Sequence, residues 1–201
     1  MCSNQAHNTN NVLYDLRLDS ETAELGIRGY FDELTYGFGT PILDRNHNLF
    51  YEAYLLGSEE SGGGVVELSP SAEGSGPWTA SVVYTFSPDS GYGYNPEGSL
   101  LPTSTGTLFG STGGSGGAGG VDGSHGYSGG IYRLDPPSDG SKTWTYTELH
   151  EFDGSTGADG GRPDGAGPEG ALTFGRHHQI YGTTVSGGRY GHGTIFMQTW
   201  H

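Results

Sequence analysis

The side chains able to do chemistry in this 201-residue chain are mostly acids and tyrosines. Two adjacent carboxylate pairs, Asp32-Glu33 and Glu59-Glu60, invite a glycosidase reading, because that reaction commonly uses two carboxylates roughly 5–10 Å apart. Neighbours in an extended segment point to opposite sides, so a working pair would have to join different loops. Tyr36, Tyr92, Tyr94, Tyr127 and Tyr190 lie in the same kind of glycine-rich connection. A tyrosine ring stacks on the C–H face of a sugar while a carboxylate accepts from its hydroxyls, so this mixture suits carbohydrate binding as well as hydrolysis. Glu52 sits inside an otherwise apolar run, where a charge must be paired, solvated or functional.

A second chemistry is suggested by Asp153, Ser155, Asp159 and Asp164, at positions 1, 3, 7 and 12 of a loop, a spacing akin to that of calcium loops. The sixth position is Ala158 where the EF-hand template needs glycine, so the reading reduces to an irregular oxygen-rich calcium site at Asp153, Asp159 and Asp164. The histidines make a poorer metal case. His177 and His178 precede one strand candidate and His192 follows it, about 20 Å away along the chain. His125 and His150 read as isolated residues. The glycine run 113–120 lacks the Lys-Ser/Thr ending of a phosphate loop, and Lys142 is the sole lysine, which argues against amine catalysis.

Composition narrows the partners. Lys and Arg number 8 against 23 Asp and Glu, a net charge of -15 that opposes nucleic acid and anionic membrane surfaces. No apolar run of about 18 residues is present, so no transmembrane segment is expected. Gly (39) and Pro (10) form about a quarter of the chain. The glycines follow no three-residue period, which excludes collagen. Disorder is opposed by 8 Phe, 13 Tyr and 3 Trp gathered in short alternating runs, the pattern of half-buried strands joined by glycine turns. The single cysteine, Cys2, excludes an internal disulfide, and Cys2-Ser-Asn before a polar stretch reads either as the start of a mature bacterial lipoprotein or as a chance cysteine in a frayed terminus.

The elements that must position these residues repeat. Trp78 and Trp144 each stand eight residues before a phenylalanine, Phe86 and Phe152. Gly64-Val-Val-Glu-Leu matches Gly130-Ile-Tyr-Arg-Leu and Gly193-Thr-Ile-Phe-Met. Pro96-Glu-Gly-Ser-Leu matches Pro168-Glu-Gly-Ala-Leu, and Leu108-Phe-Gly-Ser-Thr matches Ile180-Tyr-Gly-Thr-Thr. The first copy, Pro41-Ile-Leu and Leu49-Phe-Tyr-Glu-Ala, is degenerate. Each unit of about 55–72 residues thus holds four strand candidates, the arithmetic of a β-propeller blade.

The expected fold is therefore all-β: a polar tail over 1–11, then one propeller domain with blades at about 41–86, 96–152 and 168–198. The segment 12–16 is expected to close the last blade by pairing with its final strand. Three blades form either a compact ring or, as a homo-oligomer of two chains, half of a six-blade ring. The longer connections fall on one end of the blades, which makes that acidic, tyrosine-bearing rim the expected binding face, with Asp32, Glu33, Tyr36, Glu52, Glu59, Tyr92, Tyr94, Tyr127 and Tyr190 as its ligand residues.

Gln179-Ile-Tyr-Gly-Thr-Thr-Val-Ser-Gly-Gly188 followed by Gly193-Thr-Ile-Phe196 resembles the GloVer tandem repeat of bacterial surface-anchored proteins. Thr107-Leu-Phe-Gly-Ser-Thr-Gly-Gly114 with Gly130-Ile-Tyr132 is the next copy, while Tyr51, Glu52 and Ala53 depart from Gly-Thr-Thr in the first. The resemblance spans most of 12–197 and implies an extracellular or cell-surface setting without a transferable activity. The functional expectation is carbohydrate binding. Its rivals are a polysaccharide-active enzyme of glycoside hydrolase type and a structural surface repeat protein.

Overall fold

A computed structural model describes residues 12–18, 23–30, 34–55, 62–72, 77–87, 95–113, 128–139, 141–155, 157 and 163–201. Every ladder among them is antiparallel. Strands β1 (Val12–Leu18) and β2 (Ala23–Tyr30) form a hairpin. A first meander joins β3 (Leu34–Leu43), β4 (Leu49–Leu55), β5 (Gly64–Ser69) and β6 (Thr79–Thr85) in that spatial order. A second joins β7 (Leu101–Pro102), β8 (Leu108–Thr112), β9 (Gly130–Asp135) and β10 (Thr145–Glu151). In the third sheet β12 (Thr173–Phe174), β13 (Gln179–Thr183) and β15 (Ile195–Thr199) pair, while β11 (Gly165–Ala166) and β14 (Ser186–Gly187) make a two-residue ladder beside it. The described residues contain no helix long and apolar enough to cross a membrane.

Two features differ from the sequence expectation. The opening strand does not close the last sheet: β1 pairs with β2, Val12 opposite Tyr30 and Leu18 opposite Ala23, and among the described strands β15 pairs with β13 alone. A hairpin across four intervening residues costs far less loop-closure entropy than a bridge to the far end of the chain. The described strands form open sheets and no closed barrel. Second, the Pro-Glu-Gly-x-Leu segments are connectors rather than strands. Asn95 and Gly167, the residues before each proline, hold left-handed backbone (φ 55 and 66). Asn95 N–H donates to Gly62 O at 2.7 Å and Gly167 N–H to Ser128 O at 2.8 Å, tying each connector to the sheet it leaves. Leu100 and Leu172 at the far end of these segments are buried between sheets.

The pleat explains how the sheets stack. Along β8 and β9, Leu108, Tyr132 and Leu134 face the first sheet, packing with Phe50, Val65 and Phe86. Phe109 and Ile131, one residue out of phase, face the third sheet and pack with Leu172 and Ile180. The second sheet is thus apolar on both faces, and the three sheets pack in sequence order. Size is exchanged between the second and third strands of each sheet. Gly110 lies opposite Tyr132 and Gly182 opposite Phe196, and a Cβ on either glycine would come within 2.3 Å of the ring it faces. In the first sheet the same pair is Tyr51 opposite Val66, large and small reversed, which is why that repeat looks degenerate in sequence.

The three hairpin turns that open the sheets are copies of one another. Asp44 N–H donates to Asn48 O, Thr103 N–H to Thr107 O and Gly175 N–H to Gln179 O. The fourth residue of each is left-handed: His47 (φ 66), Gly106 (φ 91) and His178 (φ 58). Only glycine adopts that backbone without cost, and His47 is exposed. His47→Gly is expected to raise stability by about 0.5–1 kcal/mol, the relief of strain outweighing the added unfolded-state entropy. A shift of the urea midpoint at constant slope would show it, and a lowered midpoint would contradict it.

Candidate functional site

Between the first two sheets, at the end carrying these tight turns, lies a groove of about 490 Å³, within the range of small-ligand sites. Its floor is apolar: Ile42, Phe50 and Leu108. Trp144, at the foot of β10, sets its indole edge-on to Phe50, ring centres 5.9 Å apart. The rim is polar, with Asp44, Arg45, Asn46 and Asn48 from one turn, Thr103, Ser104 and Thr105 from the next, and Glu67 on β5.

Local chemistry shapes that rim. Asp44 is consumed by its own turn: Oδ1 accepts from Asn46 N–H (2.8 Å) and Asn48 N–H (2.7 Å), and Oδ2 from the Asn48 side-chain amide (3.1 Å). This Asx-type turn needs an acceptor at the first position. Thr103 Oγ1 repeats the arrangement more weakly, accepting from Thr105 N–H at 3.3 Å. Glu67 therefore carries the carboxylate best placed to meet a ligand.

The second interface shows why the groove is open. Register makes Phe109 the counterpart of Phe50, Arg133 of Glu67, Phe174 of Pro102 and His178 of Gly106. There Trp200 packs on Phe109 (5.0 Å) and His178 (4.8 Å), with the Arg133 guanidinium 5.7 Å above its ring, and Phe174 stands edge-on to Phe109. Bulky side chains fill one interface, whereas Pro102, Gly106 and Glu67 leave space in the other.

Glu52 lies deeper in the same first interface and does not line the groove. It is 1% exposed, and Tyr132 Oη donates to its Oε1 at 2.6 Å across the two sheets. Its Oε2 has no hydrogen-bond partner among the described residues. Burial pushes the Glu52 carboxyl up to about 8, only partly offset by the Tyr132 bond, so the acid is neutral at pH 7. Desolvation first, and then the adjacent acid, raise the Tyr132 phenol well above its ordinary range. Phe86, edge-on at 5.1 Å, and Tyr146, stacked at 5.9 Å, enclose the Tyr132 ring.

Of the other residues expected to form a binding rim, Asp32, Glu33, Glu59, Tyr92, Tyr94 and Tyr127 lie outside the described residues, as does Asp159 of the calcium reading. Tyr36 falls in β3 where the register slips between Thr35 and Gly37. Tyr190 is 75% exposed with Arg189 over its ring at 5.5 Å. Asp153 and Asp164 do come together at the base of their loop, but Asp153 Oδ1 accepts from Ser155 N–H (2.8 Å). Asp164 accepts from Gly165 N–H (2.8 Å) and Asp153 N–H (3.2 Å) and meets His150 Nε2 at 3.2 Å. His150 is thus an acid-paired residue rather than an isolated one. Among the described residues no group of three or more His, Cys, Asp or Glu is placed to hold a metal ion.

The groove residues escape a motif search because none belongs to a chemical signature. Trp144 serves in the sequence as a repeat marker, and the polar turn 44–48 reads as an ordinary connection. No family model, curated protein or solved structure matches the chain.

The buried acid has a measurable signature. The folded chain holds the Glu52 proton to higher pH than the unfolded chain, so its stabilising contribution is complete below about pH 4.5 and is lost as pH rises through about 8. Glu52→Gln, which keeps an acceptor for Tyr132, is expected to flatten the decline in unfolding free energy between pH 5 and 8. Parallel pH profiles for the two proteins would show that Glu52 is not buried as a neutral acid.

Proposed function

We propose that this chain is an extracellular or cell-surface carbohydrate-binding module, built of propeller-type blades and gripping a sugar ring in the groove between its first two sheets. The observation that carries the reading is the pairing of Phe50 and Trp144 with a rim of hydroxyl, amide and carboxylate groups. Aromatic rings take the C–H face of a pyranose and the rim meets its hydroxyls. The net charge of -15 disfavours uronic or sulfated glycans and leaves neutral ones as the substrate class. The GloVer-like repeat supports the surface setting.

Binding is favoured over hydrolysis by the state of the carboxylates. The common two-carboxylate route needs a pair flanking the scissile bond. Asp44 spends both oxygens on its turn, which leaves Glu67 without a second acid among the described groove residues.

Titration of neutral glucan, mannan, xylan and chitin oligosaccharides, followed calorimetrically, tests this. At least one is expected to bind, with Trp144→Ala weakening it tenfold or more, about 1.4 kcal/mol. Pro102→Phe, copied from the filled interface, is expected to abolish binding while leaving the fold intact. A panel with no binder, or a binder indifferent to both changes, refutes the groove as a sugar site.

A further inference from the structure

Both inter-sheet gaps carry the same three parts. A phenylalanine on the second strand of the earlier sheet meets a tryptophan of the later one, Phe50 with Trp144 at 5.9 Å and Phe109 with Trp200 at 5.0 Å. A charged residue on the third strand lies opposite that phenylalanine, Glu67 across from Phe50 and Arg133 across from Phe109. The charge changes sign between the two gaps. In the second, the chain supplies a complete set: the Arg133 guanidinium stands 5.7 Å from the centre of the Trp200 ring and pairs with Asp135 at 2.8 Å. In the first, Glu67 occupies the place of that cation and Ser69 the place of its acid. Ser69 Oγ donates to Glu67 Oε1 at a long 3.4 Å, and among the described residues no cation pairs with this carboxylate.

Taking the groove as a sugar site, on which this rests, we propose that it selects an amino sugar, whose ammonium group sits between Glu67 and the Trp144 ring. The ligand then brings the positive charge that the second interface draws from its own arginine. A cation is attracted to an indole face and makes a charge-assisted hydrogen bond with a carboxylate. Asp44 and Glu67 outnumber Arg45 on the lining, and a chain of net charge -15 draws cations in from solution. A neutral glycan escapes repulsion by that field, whereas an amino sugar is attracted by it. The rim favours a sugar over a simple amine. Ser104 and Thr105, both exposed, offer hydrogen bonds to ring hydroxyls that a lysine side chain lacks.

Cellotetraose and its N-acetylglucosamine and glucosamine counterparts share one linkage and differ only at carbon 2, which carries hydroxyl, acetamide or ammonium. Titrated calorimetrically into the full chain at mildly acid pH, the glucosamine tetramer is expected to bind roughly tenfold tighter than cellotetraose, or better. That preference is expected to shrink as salt is raised, because the discriminating contact is between charges open to solvent. Glu67→Gln is expected to erase it, and Glu67→Arg, copied from the second interface, to reverse it, with near-ultraviolet circular dichroism checking that both variants fold. Cellotetraose binding as tightly as the glucosamine tetramer overturns the amino-sugar assignment and leaves the sugar groove standing. A preference indifferent to salt, or one that survives Glu67→Gln, overturns it as well. Tetralysine binding as tightly as the glucosamine tetramer would mark a site for charge alone and likewise overturn it. If none of the three sugars binds, the assignment falls together with the groove's reading as a sugar site.

Discussion

Every sheet here is too small to have an inside of its own, and the rest of the structure follows from that constraint. Four short strands bury one face against a neighbour, but glycine-rich connections contribute little apolar area of their own. Stability therefore requires the sheets to stack, the second with apolar residues on both sides through Tyr132 and Leu134 on one face and Phe109 and Ile131 on the other. Burying a large aliphatic or aromatic side chain is worth about 1.5–3 kcal/mol. A sheet with two such faces gains that benefit only in a stack.

Stacking in turn sets the conditions for the site. Adjacent sheets meet through second and third strands that trade size, glycine against tyrosine or phenylalanine in two sheets and tyrosine against valine in the first. At the second interface the corresponding positions carry the bulkier Phe174 and His178, and Trp200 packs between Phe109 and His178. Where proline and glycine occupy the same positions, a groove opens with aromatic walls already in place. The groove is thus a packing deficit at a repeated position, set above buried side chains that include the Glu52–Tyr132 pair.

That bond also shows how a polar group is tolerated in such a core. Glu52 occupies the register position of Ser111 and Thr183, small hydroxyl residues in the other sheets. A longer acid there reaches across the interface to a phenol, and neutrality removes most of the desolvation cost that an ionised carboxylate would carry. The pairing joins the first and second sheets by a side-chain hydrogen bond between Tyr132 and Glu52.

The amino-acid sequence by itself determined the all-β class, the strands β4, β5, β6, β8, β9, β10 and β13, and the oddity of Glu52, but it read β2 (Ala23–Tyr30) and most of β3 as a connection. The strands it marked are legible because alternation and glycine punctuation are local properties read over a few residues. Matching Val12–Leu16 to a strand was sound, but its partner was not readable, since pairing is settled by loop-closure entropy and by which edge lies nearest. Motif logic likewise drew attention to acids and tyrosines in long connections and passed over Phe50, Trp144 and Glu67. Those three are separated in the chain and come to line one groove only when two sheets lie face to face. Which counterpart positions are filled and which left open depends on volumes meeting across an interface, and that is a property of the tertiary structure.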